Sequence, residues 1–197
     1  MPTTYTNRKG KTYTLYQGLT STGKLRYYFG YADKDHAEPV MELPPGYKIS
    51  ESVNGIVSLV KERPSPIQQA EIEIVEAEMD EHPQATRYRV VVKQKQIVIY
   101  ESSIPDFDIL LNRLHISGSA RLGLAEKMYA LEERHAHFSP ELRFILLDPA
   151  TREFGAERWC YRSSVDGWLK LIHTASLKEL ARTLIPTLGT DQFFELY

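Results

Sequence analysis

A chain of 197 residues, 42% apolar and 25% charged, is long enough to bury a core and has the composition of an ordinary folded domain, which excludes a disordered segment or a fibrous repeat. Its formal net charge of -2 implies no partner held by overall charge, and no stretch approaches the ~20 apolar residues needed to cross a bilayer as a helix. A single cysteine, Cys160, excludes an internal disulfide; with an opening Met1-Pro2-Thr3-Thr4-Tyr5 that lacks the apolar run of a secretory signal, it predicts a cytoplasmic protein.

Charge is less even along the chain. From Met1 to Ala32 the charged residues are Arg8, Lys9, Lys11, Lys24 and Arg26, with no acid, whereas Pro64 to His82 holds Glu71, Glu73, Glu76, Glu78, Asp80 and Glu81 with no Lys or Arg. A basic opening and an acidic connector point either to mutual docking or to two surfaces with different partners.

Residues 1–63 read as a small antiparallel β unit. Thr12–Gln17 and Arg26–Tyr31 are rich in aromatic and β-branched residues, and Ser21-Thr22-Gly23-Lys24 between them makes a hairpin. After Pro44-Pro45-Gly46, a second hairpin is expected from Tyr47–Glu51 and Ile56–Lys61 about Asn54-Gly55, so that four short strands share one sheet. Glu62-Arg63-Pro64-Ser65-Pro66 breaks regular structure and sets the boundary. Residues 64–197 are expected to form one larger α+β unit. Its helix over 67–82 carries two apolar stripes, Ile67, Ala70, Ile74 and Ala77 on one and Ile72, Val75 and Met79 on the other.

A hairpin of Thr86–Lys93 and Gln96–Glu101 follows, then a short helix over Asp106–Leu114 with Phe107, Leu110, Leu111 and Leu114 inward. Ser117–Gly123 reads as irregular. Strands are expected near Lys127–Glu133, Glu141–Leu147, Phe154–Arg162 and Trp168–Ile172, with turns at Asp148-Pro149 and Asp166-Gly167. Ser176-Leu177-Lys178-Glu179 matches a capping box and opens a C-terminal helix over 176–185 with Leu177, Leu180, Ala181 and Leu184 on one face, stopped by Pro186. The fold class is α+β: a small N-terminal antiparallel β unit, a connecting helix, then a larger antiparallel sheet with C-terminal helices.

Lys11-Thr12-Tyr13, Gly23–Phe29 and Pro45-Gly46-Tyr47, with Arg158–Arg162, Asp166-Gly167-Trp168 and Phe193–Leu196, resemble an uncharacterised family of prokaryotic hypothetical proteins with no assigned function. The resemblance spans most of the chain and implies a prokaryotic origin; it carries no mechanism.

Few residues suggest chemistry. Gly10-Lys11-Thr12 mimics the end of a phosphate loop, but Tyr5 stands where that motif needs glycine. Glu133, His135 and His137 are the candidate metal ligands, because alternate residues of a strand share a face. No metal site is expected there, the alternative being surface histidines on a strand end. Asp106 and Asp108 suit the start of a helix as well as a hard cation. Cys160 with a histidine such as His173 would make a nucleophile pair, yet a cysteine between Trp159 and Tyr161 in a strand fits a buried hydrophobe. Ser163, Ser164 and Asp166 fit a turn, the nucleophile-elbow context being absent. No cofactor motif is present.

Two surfaces remain. Alternation sets Arg158, Cys160 and Arg162 on one strand face and Trp159 and Tyr161 on the other, so Arg158 and Arg162 suit an anion or pairing with Glu153, Glu157 or the acidic helix. In the N-terminal hairpin, inward Tyr27, Phe29 and Tyr31 leave Lys24, Arg26 and Tyr28 outside with Thr12, Thr14 and Tyr16, a mixture of cations and rings suited to binding. The expected function is therefore a non-enzymatic binding protein, with an unknown protein partner ahead of nucleic acid and no membrane. A small metal-dependent or hydrolytic enzyme is the rival class.

Overall fold

A computed structural model describes residues 1–31, 38–103, 111–162 and 165–195. Within these ranges only the backbone is described for 119, 120, 125, 129, 131–133, 162, 165, 172 and 173. The fold is α+β, with a small N-terminal antiparallel sheet and a larger antiparallel one. The chain divides into two units, Met1–Arg63 with Ile116–His137, and Pro64–His115 with Phe138–Tyr197. The first break falls at the Pro64-Ser65-Pro66 interruption. Residues 64–197 do not form one unit, because 116–137 cluster with the N-terminal residues.

In the first unit, β1 (Thr4–Thr6), β2 (Thr12–Leu19), β3 (Leu25–Gly30) and the two-residue β4 (Glu38–Pro39) form one sheet, with β3 at its edge and both β1 and β4 on β2. A separate hairpin holds β5 (Tyr47–Glu51) and β6 (Val57–Lys61). The expected single four-stranded sheet is thus corrected to two ladders.

One turn design recurs three times. Asn7, Thr20 and Ser52 each stand three residues before Gly10, Gly23 and Gly55, and each bonds its backbone N–H to the carbonyl four residues on. The glycine N–H returns to the first residue's carbonyl, and each glycine has positive φ, between 73° and 77°. In each turn the side-chain oxygen of the first residue accepts from the backbone N–H four residues later, at 2.9, 3.0 and 3.0 Å. This is the three-residue hairpin loop with glycine in the left-handed position. Asn7, buried, also donates to the Gly55 carbonyl, and Glu51 accepts from the Arg8 N–H and the Tyr5 hydroxyl, both at 2.9 Å. These bonds join the two ladders through their loops.

Helix α2 (Gly118–His135) occupies the stretch where the sequence suggested an irregular segment and a strand over Lys127–Glu133. Leu124-Ala125-Glu126-Lys127-Met128 and Ala130-Leu131-Glu132-Glu133-Arg134 are strong helix formers without a β-branched residue, and that preference prevails.

The second unit is an antiparallel meander. β7 (Tyr88–Lys93), β8 (Gln96–Ser102), β9 (Phe138–Asp148), β10 (Glu153–Arg162) and β11 (Val165–Ser176) lie in the order β11-β10-β9-β8-β7. Helices α1 (Gln69–Asp80) and α3 (Leu177–Leu184) pack on each other and on the sheet. Val75 and Met79 of α1 and Leu177, Leu180, Ala181 and Leu184 of α3 meet Ile97, Ile99, Leu142, Phe144 and Phe154 in the core. The stripe of Ile72, Val75 and Met79 faces the core, while of the other stripe Ile67 and Ile74 pack there and Ala70 and Ala77 are exposed.

The Ser176 hydroxyl accepts from the Glu179 N–H at 3.3 Å, so the capping signal starts α3 as expected. A 3-10 turn, Ile185–Thr187, continues it past Pro186 and leads to α4 (Asp191–Glu195). Asp166 and Gly167 are paired with Tyr161 and Cys160 inside the β10–β11 ladder, so they are strand residues rather than the expected turn. Of the expected helix over Asp106–Leu114, residues up to 110 lie outside the described ones; Leu111 is buried, while Leu114 is exposed rather than inward.

Candidate functional site

The ribbon of β2 and β3 presents the most outward-looking chemistry of the first unit. Leu15 is fully buried opposite Phe29, and Tyr27 packs on Tyr47 with ring centroids 6.3 Å apart, so these side chains make the inner face. On the outer face Lys24 and Arg26 are exposed, and the Arg26 guanidinium lies 4.9 Å from the centre of the Tyr28 ring. Leu19 and Leu25, paired directly across the strands, share the face of Leu15, Tyr27 and Phe29, and at the ribbon's end they are 71% and 57% exposed. Neither Lys24 nor Arg26 joins an ion pair among the described residues.

Two ribbon residues differ from expectation. Tyr16 is only 7% exposed, because Pro39 of β4 pairs beside it, so it backs the Tyr28 ring at 6.0 Å rather than offering open surface. Tyr31 lies beyond the end of β3, 52% exposed and stacked on Tyr13 at 5.0 Å, and is not an inward residue.

Arg158 points into the second unit. It is buried, donates through Nη2 to the Phe194 carbonyl at 3.1 Å, and rests over the Phe194 ring. Glu157 belongs to Arg143, which also lies 4.1 Å over the Trp168 ring. The side chain of Arg162 is outside the described ones, so an Arg158–Arg162 surface pair has only its buried half in view. Trp159 lies edge-on to both Tyr161 and Trp168 on the opposite strand face.

The proposed ligand trio stands on α2 and the two residues after it, not on a strand. His135 is the last helical residue and His137 lies past the buried Ala136; both histidines are exposed, and the Glu133 side chain is outside the described ones. A helix turns about 100° per residue, so positions two apart do not share a face as they do on a strand. Among the described residues no group of three His, Cys, Asp or Glu is arranged to hold a metal. Cys160 is a free thiol in β10, half-buried rather than the buried hydrophobe expected; the side chain of His173 and residues 106, 108, 163 and 164 lie outside the description.

A second site was not singled out from sequence. Arg87, Glu101, Ser102, Ser103, Ser139, Glu141 and Tyr161 line a cleft of about 280 Å³ at one end of the five-stranded sheet. The register of β8 on β9 jumps from Ile99–Leu142 to Tyr100–Pro140, leaving Glu141 as the extra residue of a bulge. Bulges redirect side chains. Glu141 is only 8% exposed, and its carboxyl is pushed up to about 7, first by burial and then by the Glu101 charge. The Tyr161 hydroxyl and Arg87 pull the other way.

Arg87 bridges Glu101 at 2.5 Å and donates to Gln84 at 3.2 Å, while its buried Nε has no acceptor among the described residues. Burial and the Glu101 charge also push the neighbouring Tyr88 phenol up. The readable signal was Pro140: a proline inside an apolar strand marks an edge or a bulge.

Among the described residues no helix is long and apolar enough to cross a membrane. No protein-family model, curated protein or solved structure matches the chain.

Proposed function

We propose that this chain is a cytoplasmic, non-enzymatic binding protein whose β2–β3 ribbon docks an acidic segment of a partner protein that also carries apolar side chains. The observation that supports this reading is the exposed end of the ribbon, with Lys24 and Arg26 on one face, Arg26 set over Tyr28, and Leu19 and Leu25 open on the other. Cations outside any ion pair among the described residues attract carboxylates, and a guanidinium resting on a ring is held ready for a planar carboxylate at little further entropic cost. The leucine pair favours protein over nucleic acid, because a base needs a flat ring to stack on and a leucine offers none. The first unit supports the same sign of partner: it holds 12 Lys and Arg against 9 Asp and Glu, whereas the second holds 12 against 17.

Panning a displayed random-peptide library against the full chain tests this. Enriched peptides should carry Asp or Glu interspersed with Leu, Phe or Ile, and should bind at least about tenfold more weakly to Lys24→Glu/Arg26→Glu and to Leu25→Ser. Peptides indifferent to both changes sink the reading. Salt-sensitive retention on immobilised single-stranded DNA, lost in the double variant, would move it to nucleic acid.

A further inference from the structure

The Glu141 cleft has more negative charge than its own cation can answer. Arg87 is engaged with Glu101 at 2.5 Å, so an ionised Glu141 faces the cleft without a cation of its own. The remaining lining consists of hydroxyls, from Ser102, Ser103, Ser139 and Tyr161, whose oxygens accept hydrogen bonds. We propose that this cleft binds the protonated amine of a small ligand, with Glu141 facing the ammonium group, the serine hydroxyls accepting its remaining protons and the Tyr161 ring forming one wall.

The chemistry fits in three respects. An alkylammonium has three donors and no acceptor, which matches a carboxylate surrounded by hydroxyl oxygens. A cation beside an aromatic ring gains from the ring's negative face, and Tyr161 leaves more than half of its surface open. The volume, about 280 Å³, lies just under the usual range for drug-sized ligands and so suits a small one.

Binding is then linked to protonation. The charged and titratable groups around Glu141 are Glu101 from β8, Arg87 from the turn before β7, Tyr88 from β7 and Tyr161 from β10. Of these Glu101 opposes ionisation of Glu141 and Arg87 favours it. Near pH 7 Glu141 is about half protonated, so seating an ammonium group displaces a proton. An alkylamine itself stays charged through this range, since its pKa resembles that of lysine.

The test is a chemical-shift titration of the full chain with propylammonium chloride, and with 1-propanol as the neutral analogue. Saturable shifts are expected at the amides of Ser102, Ser139 and Glu141, with affinity rising about tenfold between pH 6 and pH 8 as Glu141 ionises. Glu141→Gln should abolish saturation, and Tyr161→Leu should weaken binding severalfold. Equal binding of 1-propanol, an affinity independent of pH, an unaffected Glu141→Gln protein or no saturation at all would each overturn the proposal. Should Glu141→Gln fail to fold, the pH profile of the unaltered chain decides alone.

Discussion

The ribbon of the first unit and the sheet of the second handle charge in opposite ways. In the second unit Arg152 pairs with Glu71, Arg143 with Glu157, Arg87 with Glu101 and Arg182 with Glu78, and Arg158 holds a backbone carbonyl. In the ribbon, Lys24 and Arg26 stand outside any ion pair among the described residues. Cations already answered from within contribute to holding the fold; those left outward are available to a partner. The contrast teaches that a basic residue's role is read from its neighbours rather than from its count.

Four changes would break or sharpen this contrast. The largest effect is expected at Arg152, whose guanidinium grips both Glu71 oxygens and the Pro66 carbonyl. Arg152→Ala leaves the nearly buried Glu71 carboxylate unanswered and should lower unfolding free energy by about 2 to 4 kcal/mol in urea titration. A loss below about 0.5 kcal/mol would show that the pair is ornamental.

Next comes Glu141, whose carboxyl is held by burial and the Glu101 charge well above its usual range of about 4.5. Between pH 4.5 and 7 the folded chain keeps a proton that the unfolded chain has released, so this residue's contribution becomes less favourable as pH rises and levels off above 7. Glu141→Gln removes that dependence, and its stability relative to the unaltered chain should grow by on the order of 2 to 3 kcal/mol from pH 4 to pH 8. A constant difference would refute the raised carboxyl.

Arg182, largely exposed, reaches Glu78 at 3.1 Å; Arg182→Ala should cost less than about 1 kcal/mol, with the loss shrinking in high salt. The smallest effect belongs to the ribbon. Lys24→Glu/Arg26→Glu should leave thermal unfolding within about 0.5 kcal/mol of the unaltered chain, and a larger loss would mean that these cations serve the fold.

Much of the architecture was legible because local signals agreed with packing. Alternation in Arg26–Phe29 places the inner and outer faces of the ribbon, and Ser176 with Glu179 opens α3. Misreadings came where one pattern had two meanings. Glu133, His135 and His137 alternate like a strand, but the helix preference of the residues before them prevails. Asn7, Thr20 and Ser52, each three before a glycine, encode one loop three times, a regularity visible in the sequence once the spacing is compared. The cleft was hidden for a deeper reason: Glu141 reaches it through a bulge, and a register shift depends on two strands distant in sequence.

The Arg152–Glu71 clasp joins residues 81 positions apart, which sets when it can exist. As the polypeptide leaves the ribosome, α1 emerges with its first-turn carboxylate solvated, and the guanidinium that answers it is synthesised only after three further strands. The clasp is therefore a latch closed after the meander has assembled rather than part of the seed from which it grows. A latch of this kind governs how slowly the native chain comes apart, and has little say in how fast it is made.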